Sequence, residues 1–236
     1  MTLFALRRFL TYQINFFIKK LKNGKTLSLT ISELTLKEFV SLINLSHQGT
    51  KMASTKCYGD LVFSAEFHPT EKNLIVTCGK QHIIFWQLDP NAQHLAKRNG
   101  LFESATNEKP KYVLCLAFNF VSHEIVSGDS DGHILFWSSG KENNKITRSI
   151  KNAHEGGVFS ILCMERDQMI TGGKDGSLVE WSSEHQRQRT LNLPEQSGSV
   201  RFIAPMSTSG GVFLVGTTRN CVFQVNILSS FLINEK

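Results

Sequence analysis

Three stretches of this chain end alike: HIIFW at Trp86, HILFW at Trp137 and SLVEW at Trp181. The tryptophans stand 51 and 44 residues apart, and a further 44 residues lands on Val225, inside the similar run NCVFQV. Upstream of each lies a second apolar run: VFSAEF from Val62, VLCLAF from Val113, VFSILC from Val158 and VRFIAP from Val200. Between the two sits a third: LIVTCG, EIVSGDSDG, MITGGKDG and VFLVGTTRN. A unit of three short runs therefore recurs about every 42–51 residues. Such a period demands stacked, similar units, each burying its apolar surface against its neighbours.

The runs are rich in Val, Ile and Phe and are punctuated by Gly, Asp and Asn, which predicts strands joined by tight hairpins. Several are apolar on both faces. Strict alternation in VFSILCM sends Val158, Leu162 and Met164 one way and Phe159, Ile161 and Cys163 the other. A sheet with one wet face would alternate apolar with polar, so these sheets must be covered on both sides, as radially stacked blades are. No apolar run approaches the roughly 20 residues that span a bilayer. The five cysteines (57, 78, 115, 163 and 221) form no C-x-x-C pair, which suits thiols in a reducing compartment and argues against a metal site.

The period, the terminal Trp and the Asp-Gly turn six residues before Trp181 resemble WD40 repeats of a β-propeller. In such a blade His precedes the first strand, Ser or Thr lies on the second, Asp in the next turn and Trp on the third. The matching positions are His154, Thr171, Asp175 and Trp181, expected to form a structural hydrogen-bond tetrad in which indole donates to hydroxyl, hydroxyl to imidazole and imidazole to carboxylate. Partial tetrads are expected at Ser127, Asp131 and Trp137, where no His precedes Val113, and at Thr77 and Trp86, where the turn is one residue shorter and lacks the Asp. A Ser–His–Asp hydrolase built on Ser160, His154 and Asp175 is the competing reading. Ser160 lies inside a strand and lacks the G-x-S-x-G elbow, so no catalytic residue is assigned.

The runs FHPTEKNLIVTCGKQHIIFW, KPKYVLCLAF, SGDSDGHILFW, AHEGGVFSILCM, TGGKDGSLVEW, PEQSGSVR and GTTRN, in this order, make residues 57–228 similar to the echinoderm microtubule-associated protein-like (EMAP-like) family. That resemblance implies a non-catalytic protein of the cytoplasm and cytoskeleton that binds tubulin or microtubules and needs no cofactor. It also implies two linked propellers, a hydrophobic motif before the first and often an N-terminal coiled coil, of which only about four blades are recognisable here. The expected fold is thus all-β: a partial WD40 propeller over 57–236, with blades at about 57–92, 109–150, 151–193 and 194–236. A generic protein–protein adaptor, or an incomplete fragment without independent function, is the alternative.

Residues 1–56 match neither the repeat nor the resemblance. They hold nine Lys or Arg against two Glu, a surplus of +7, whereas residues 57–236 sum to −1. The run MTLFALRRFLTYQINFFIKKLK has helical periodicity, with Leu6, Leu10, Phe17 and Leu21 on one side. It predicts an atypical basic segment with helical character. A helix packed on the blades, sequence outside any natural domain, contact with a membrane or partner, and mitochondrial targeting all stay open for it. The near-neutral body carries no basic run with interleaved aromatics, so nucleic acid is not an expected partner.

Overall fold

The computed structural model describes residues 13–16, 27–33, 38–44, 50–56, 61–71, 73–89, 94–102, 109–119, 121–138, 144–206, 211–226 and 233–235. These residues form five four-stranded antiparallel sheets, one more than the repeat pattern predicts. The chain divides into two compact units, Met1–Gly100 and Leu101–Lys236.

In the first unit, one sheet consists of β1 (Gln13–Phe16), β2 (Leu27–Glu33), β3 (Glu38–Asn44) and β4 (Thr50–Lys56), paired in that order. The N-terminal segment therefore contains a sheet, and Gln13–Phe16 is a strand facing Leu29–Ser32 where a helix is expected. The rest of the expected helix, residues 1–12 and 17–22, lies outside the described residues. The reason for the difference is cooperative: LSLTISE alternates Leu and Ile with Ser and Thr, and its seven residues pair fully with EFVSLIN. A formed hairpin of that length offers the neighbouring stretch ladder hydrogen bonds that outweigh a weak helical periodicity.

The second sheet of this unit is β5 (Val62–Phe67), β6 (Leu74–Gly79), β7 (His82–Asp89) and β8 (His94–Asn99). Every residue of β6 is buried, and Ile75, Ile84 and Trp86 are sealed from solvent. Lys80 and Gln81 make the two-residue turn, with Gln81 at φ 55°.

The second unit stacks three sheets. They are β9 (Val113–Phe118), β10 (Ile125–Asp129), β11 (Ile134–Trp137) and β12 (Ile146–Ile150); then β13 (Val158–Cys163), β14 (Met169–Gly173), β15 (Ser177–Trp181) and β16 (Arg187–Asn192); then β17 (Val200–Pro205), β18 (Val212–Thr217), β19 (Val222–Asn226) and β20 (Ile233–Glu235). The first strands β9, β13 and β17 lie next to one another, as inner strands of adjacent propeller blades do. Val126, Ile134 and Phe136 of the third sheet pack with Val158, Ile161, Met169, Val179 and Trp181 of the fourth. On its other face the fourth sheet packs Ile170 and Leu178 against Val200, Ile203, Phe213 and Val215 of the fifth. Each fully buried side chain of this kind contributes about 1.5–3 kcal/mol, so these two apolar layers dominate the unit's stability.

A β-bulge recurs one residue into the inner strands. The ladder skips Phe63, Leu114, Phe159 and Arg201. The extra residue shifts the side-chain parity. Val158 therefore shares a face with Ile161 and Cys163, while Leu162 and Met164 face the fifth sheet, which corrects the strict alternation read from VFSILCM. Bulged residues of neighbouring sheets also meet: the Arg201 guanidinium lies 4.6 Å over the Phe159 ring. Burial pushes the thiols of Cys115 and Cys163 up to about 12, so both behave as small apolar side chains.

Candidate functional site: a hydrogen-bond network at a cleft

The four residues expected to form a tetrad in and beside the fourth sheet come together as one chain of hydrogen bonds. The Trp181 indole N–H donates to Thr171 Oγ1 at 2.9 Å. Thr171 Oγ1 lies 2.8 Å from His154 Nε2, and His154 Nδ1 lies 3.1 Å from Asp175 Oδ1. Hydrogen counting orients the chain. Indole is a donor only, so the Thr171 oxygen accepts from it and gives its own proton to Nε2, which places the imidazole proton on Nδ1 facing the carboxylate. Strand β14 holds Thr171, β15 holds Trp181, the turn between them holds Asp175 and the loop before β13 holds His154.

The network is saturated. Asp175 also accepts from the Ser177 N–H at 3.0 Å, the Ser177 hydroxyl at 2.8 Å and the Glu155 N–H at 2.9 Å. The His154 side chain is fully buried and that of Asp175 is 19 % exposed. Burial pushes the Asp175 carboxyl up, but the bonds from His154 and from Ser177 outweigh it and hold the group well below the usual carboxylate range. A depressed folded-state value adds stability above the unfolded value of about 4, and that stability is lost as pH falls through the folded value. The stability gap between the wild type and Asp175→Asn should therefore be full at neutral pH and narrow progressively below about pH 4. Denaturant melts of both proteins across that range check this, and a pH-independent gap counts against it.

The partial tetrads close their first link only. Trp86 donates to Thr77 Oγ1 and Trp137 to Ser127 Oγ, each at 2.9 Å. Asp131 does not join the second pair: it is exposed, and its carboxylate accepts from the Ser130 hydroxyl. The buried acid is Asp129, 2 % exposed, whose Oδ1 accepts from the N–H groups of Asp131 at 2.9 Å and His133 at 2.8 Å. Burial pushes its carboxyl up.

One correspondence explains the substitution. Asp129 occupies the strand position of Gly173, where a Cβ would sit only 2.3 Å from His154 Nδ1. The fourth sheet empties that position to admit a histidine. The third has no histidine to admit and fills the space with a carboxylate. In the second sheet a Cβ on Gly79 would approach His82 Cε1 to 2.7 Å, and His82 is buried with Nδ1 3.0 Å from Lys80 O. His82 and Asp129 escape the sequence reading because both sit outside the tetrad spacing. The pairing of a missing histidine with an acid two residues after Ser127 is the signal that could have found Asp129.

His154, Asp175 and Ser177 line a polar cleft of about 1050 Å3 together with Lys174, Arg187, Glu155, Glu195 and Asn192. Arg187 is held in place: it donates to Ala153 O at 2.7 Å and lies 5.4 Å from the Trp181 ring centre. Among the described residues no hydrogen bond joins Ser160 to His154, and no cluster of three or more His, Cys, Asp or Glu could hold a metal ion. No helix among them is long and apolar enough to cross a membrane.

A family profile described as the "Echinoderm microtubule-associated protein first beta-propeller" matches residues 15–225. It includes most of the N-terminal stretch that the motifs left outside the repeat. The human "Echinoderm microtubule-associated protein-like 1" is 46 % identical over 183 residues, 77 % of this chain and 21 % of that protein. The human "Echinoderm microtubule-associated protein-like 2" is 42 % identical over 184 residues, 77 % of this chain and 27 % of that protein. The "77 kDa echinoderm microtubule-associated protein" of Lytechinus variegatus is 38 % identical over 182 residues, 77 % of this chain and 26 % of that protein. The chain thus matches about a fifth to a quarter of the length of these relatives. With its stacked four-stranded sheets and a family match over nearly all of its described length, the chain belongs to the EMAP-like family, within the region of the first β-propeller.

Proposed function

We propose that this chain is a non-catalytic propeller protein of the cytoplasm and cytoskeleton that binds tubulin or microtubules through its blades. The observation that carries this reading is the family membership, whose relatives are named as microtubule-associated proteins. The site chemistry supports the non-catalytic part. The His154 side chain is fully buried and its two nitrogens face Thr171 and Asp175, which keeps it out of reach of a substrate proton. No cofactor is required.

Charge sets the expected behaviour. The only large positive surplus, +7, lies in residues 1–56, while the remainder sums to −1. Acidic polymer surfaces attract such a segment through screened, long-range forces, whereas blade contacts rest on shape. Co-sedimentation with microtubules at low and physiological salt should show weak binding that falls as salt rises. Replacing Lys19, Lys20, Lys22 and Lys25 by Glu should remove the salt-sensitive part and leave a salt-insensitive remainder. If the chain neither pellets with microtubules nor binds free tubulin dimers, the tubulin reading fails and the adaptor reading replaces it.

A further inference from the structure

The turn between β15 and β16 reaches the third sheet through His185. Its ring stands edge-on to the fully buried Phe136 of β11, with ring centres 4.6 Å apart at 89°. Arg148 of β12 lies 4.1 Å from the centre of the same Phe136 ring and aims its fork at the imidazole. Nη1 is 3.1 Å from His185 Nδ1, and Nη2 is 3.3 Å from Nε2. An ion pair with Glu124, just ahead of β10, holds the guanidinium there. This contact requires a neutral ring. A guanidinium only donates, and a neutral imidazole has one lone pair to accept with, whereas imidazolium has none. On the fourth sheet's own side, in the turn between β13 and β14, Asp167 keeps a buried Oδ1 without a hydrogen-bond partner among the described residues, and its charge acts on His185.

We propose that His185 is a proton-operated clasp between the third and fourth sheets: neutral, it accepts from Arg148 and caps Phe136; protonated, it is repelled by Arg148 and turns to donate to Asp167. The charges that act on the ring are Arg148 on β12, Glu124 ahead of β10 and Asp167 ahead of β14, while Phe136 and the Ser183 backbone add no net charge. Burial, and then the Arg148 cation, hold the imidazole below its ordinary value of about 6.5, against Glu124, Asp167 and the Ser183 backbone. Above about pH 6.5 the ring is neutral in both the folded and the unfolded chain, and the clasp contributes fully. That contribution is lost as pH falls from there through the lower folded value, because the unfolded chain takes up the proton first. The device lies in the packing of two sheets and is independent of tubulin binding.

The test uses the full chain and hydrogen exchange read by mass spectrometry at about pH 7.5 and about pH 5.5, with each rate divided by the intrinsic rate at that pH. In the wild type, protection of residues 182–187 and of Ile146–Ile150 should fall about threefold or more at the lower pH. His185→Asn, a residue that tolerates the φ of 60° at this position, should keep the same protection at both. Proton NMR of the imidazole, whose signal is identified by its loss in His185→Asn, follows the titration directly. Arg148→Met should move the midpoint up and Asp167→Asn should move it down, each by about half a pH unit or more. Thermal melts should show all three variants folded. A midpoint that neither substitution moves overturns the proposal, as does a loss of protection that persists in His185→Asn or spreads evenly over all the sheets. A wild-type midpoint at or above about 6.5 overturns it without any variant.

Discussion

Replacing Trp181 by alanine is expected to cost about 3–5 kcal/mol of stability, the usual range for emptying a buried tryptophan site. The indole is 3 % exposed, packs in the apolar layer between the third and fourth sheets and supplies the first donor of the network. Its removal leaves a cavity that the flanking strands, pinned by their ladders, close only in part. It also takes away the donor that orients the Thr171 hydroxyl toward His154. His154→Ala should cost less, on the order of 1–3 kcal/mol. Asp175 keeps its three donors from Ser177 and Glu155, and the Trp181–Thr171 bond survives. Equilibrium denaturation of the two variants measures both. A Trp181→Ala loss below that of His154→Ala would mean that packing is not the main role of the indole.

The second large effect is expected from a single methyl group at Gly172. A Cβ there would lie 2.2 Å from Val200 Cγ1 and 2.8 Å from Val200 Cβ. Val200 is fully buried and β-branched, so it has no free rotamer to retreat into. The two sheets must separate instead, and Gly172→Ala should cost about 3 kcal/mol, the upper part of the range for overpacking. Gly216→Ala is the internal control. It occupies the same register position but meets only an ordinary contact, so its effect should stay within about 0.5 kcal/mol. Equal losses at the two positions would show that glycine is retained there for backbone reasons and not to admit the neighbouring valine.

The chain's repeats are legible because strand chemistry is local. The terminal tryptophans, the Val-led inner strands and the Asp-Gly turn place β5–β7, β9–β11, β13–β15 and β17–β19 where the sequence puts them. The spacing of His154, Thr171, Asp175 and Trp181 reads directly as a network because each residue has a fixed place on the hairpin. The first sheet is not legible in the same way. LSLTISE and EFVSLIN carry the alternation of a hairpin, but no terminal tryptophan marks the unit, and helical periodicity in the preceding run competes with it.

By itself the sequence determined the first three strands of the second to fifth sheets, the hairpins between them and the spacing of the four side chains that share a network, since these follow from propensity and from spacing of a few residues. Only the tertiary structure decided the rest. The bulge at Phe159 reverses the facing of Leu162 and Met164, because one extra residue inverts the two-residue period of a strand. Asp129 is buried in place of Asp131 because the space that His154 fills in one sheet is vacant in its neighbour. Val158 takes the space that a side chain at Gly128 would need, and Val200 the space at Gly172, because packing between sheets joins residues about 30 positions apart, a separation at which local pattern carries no information.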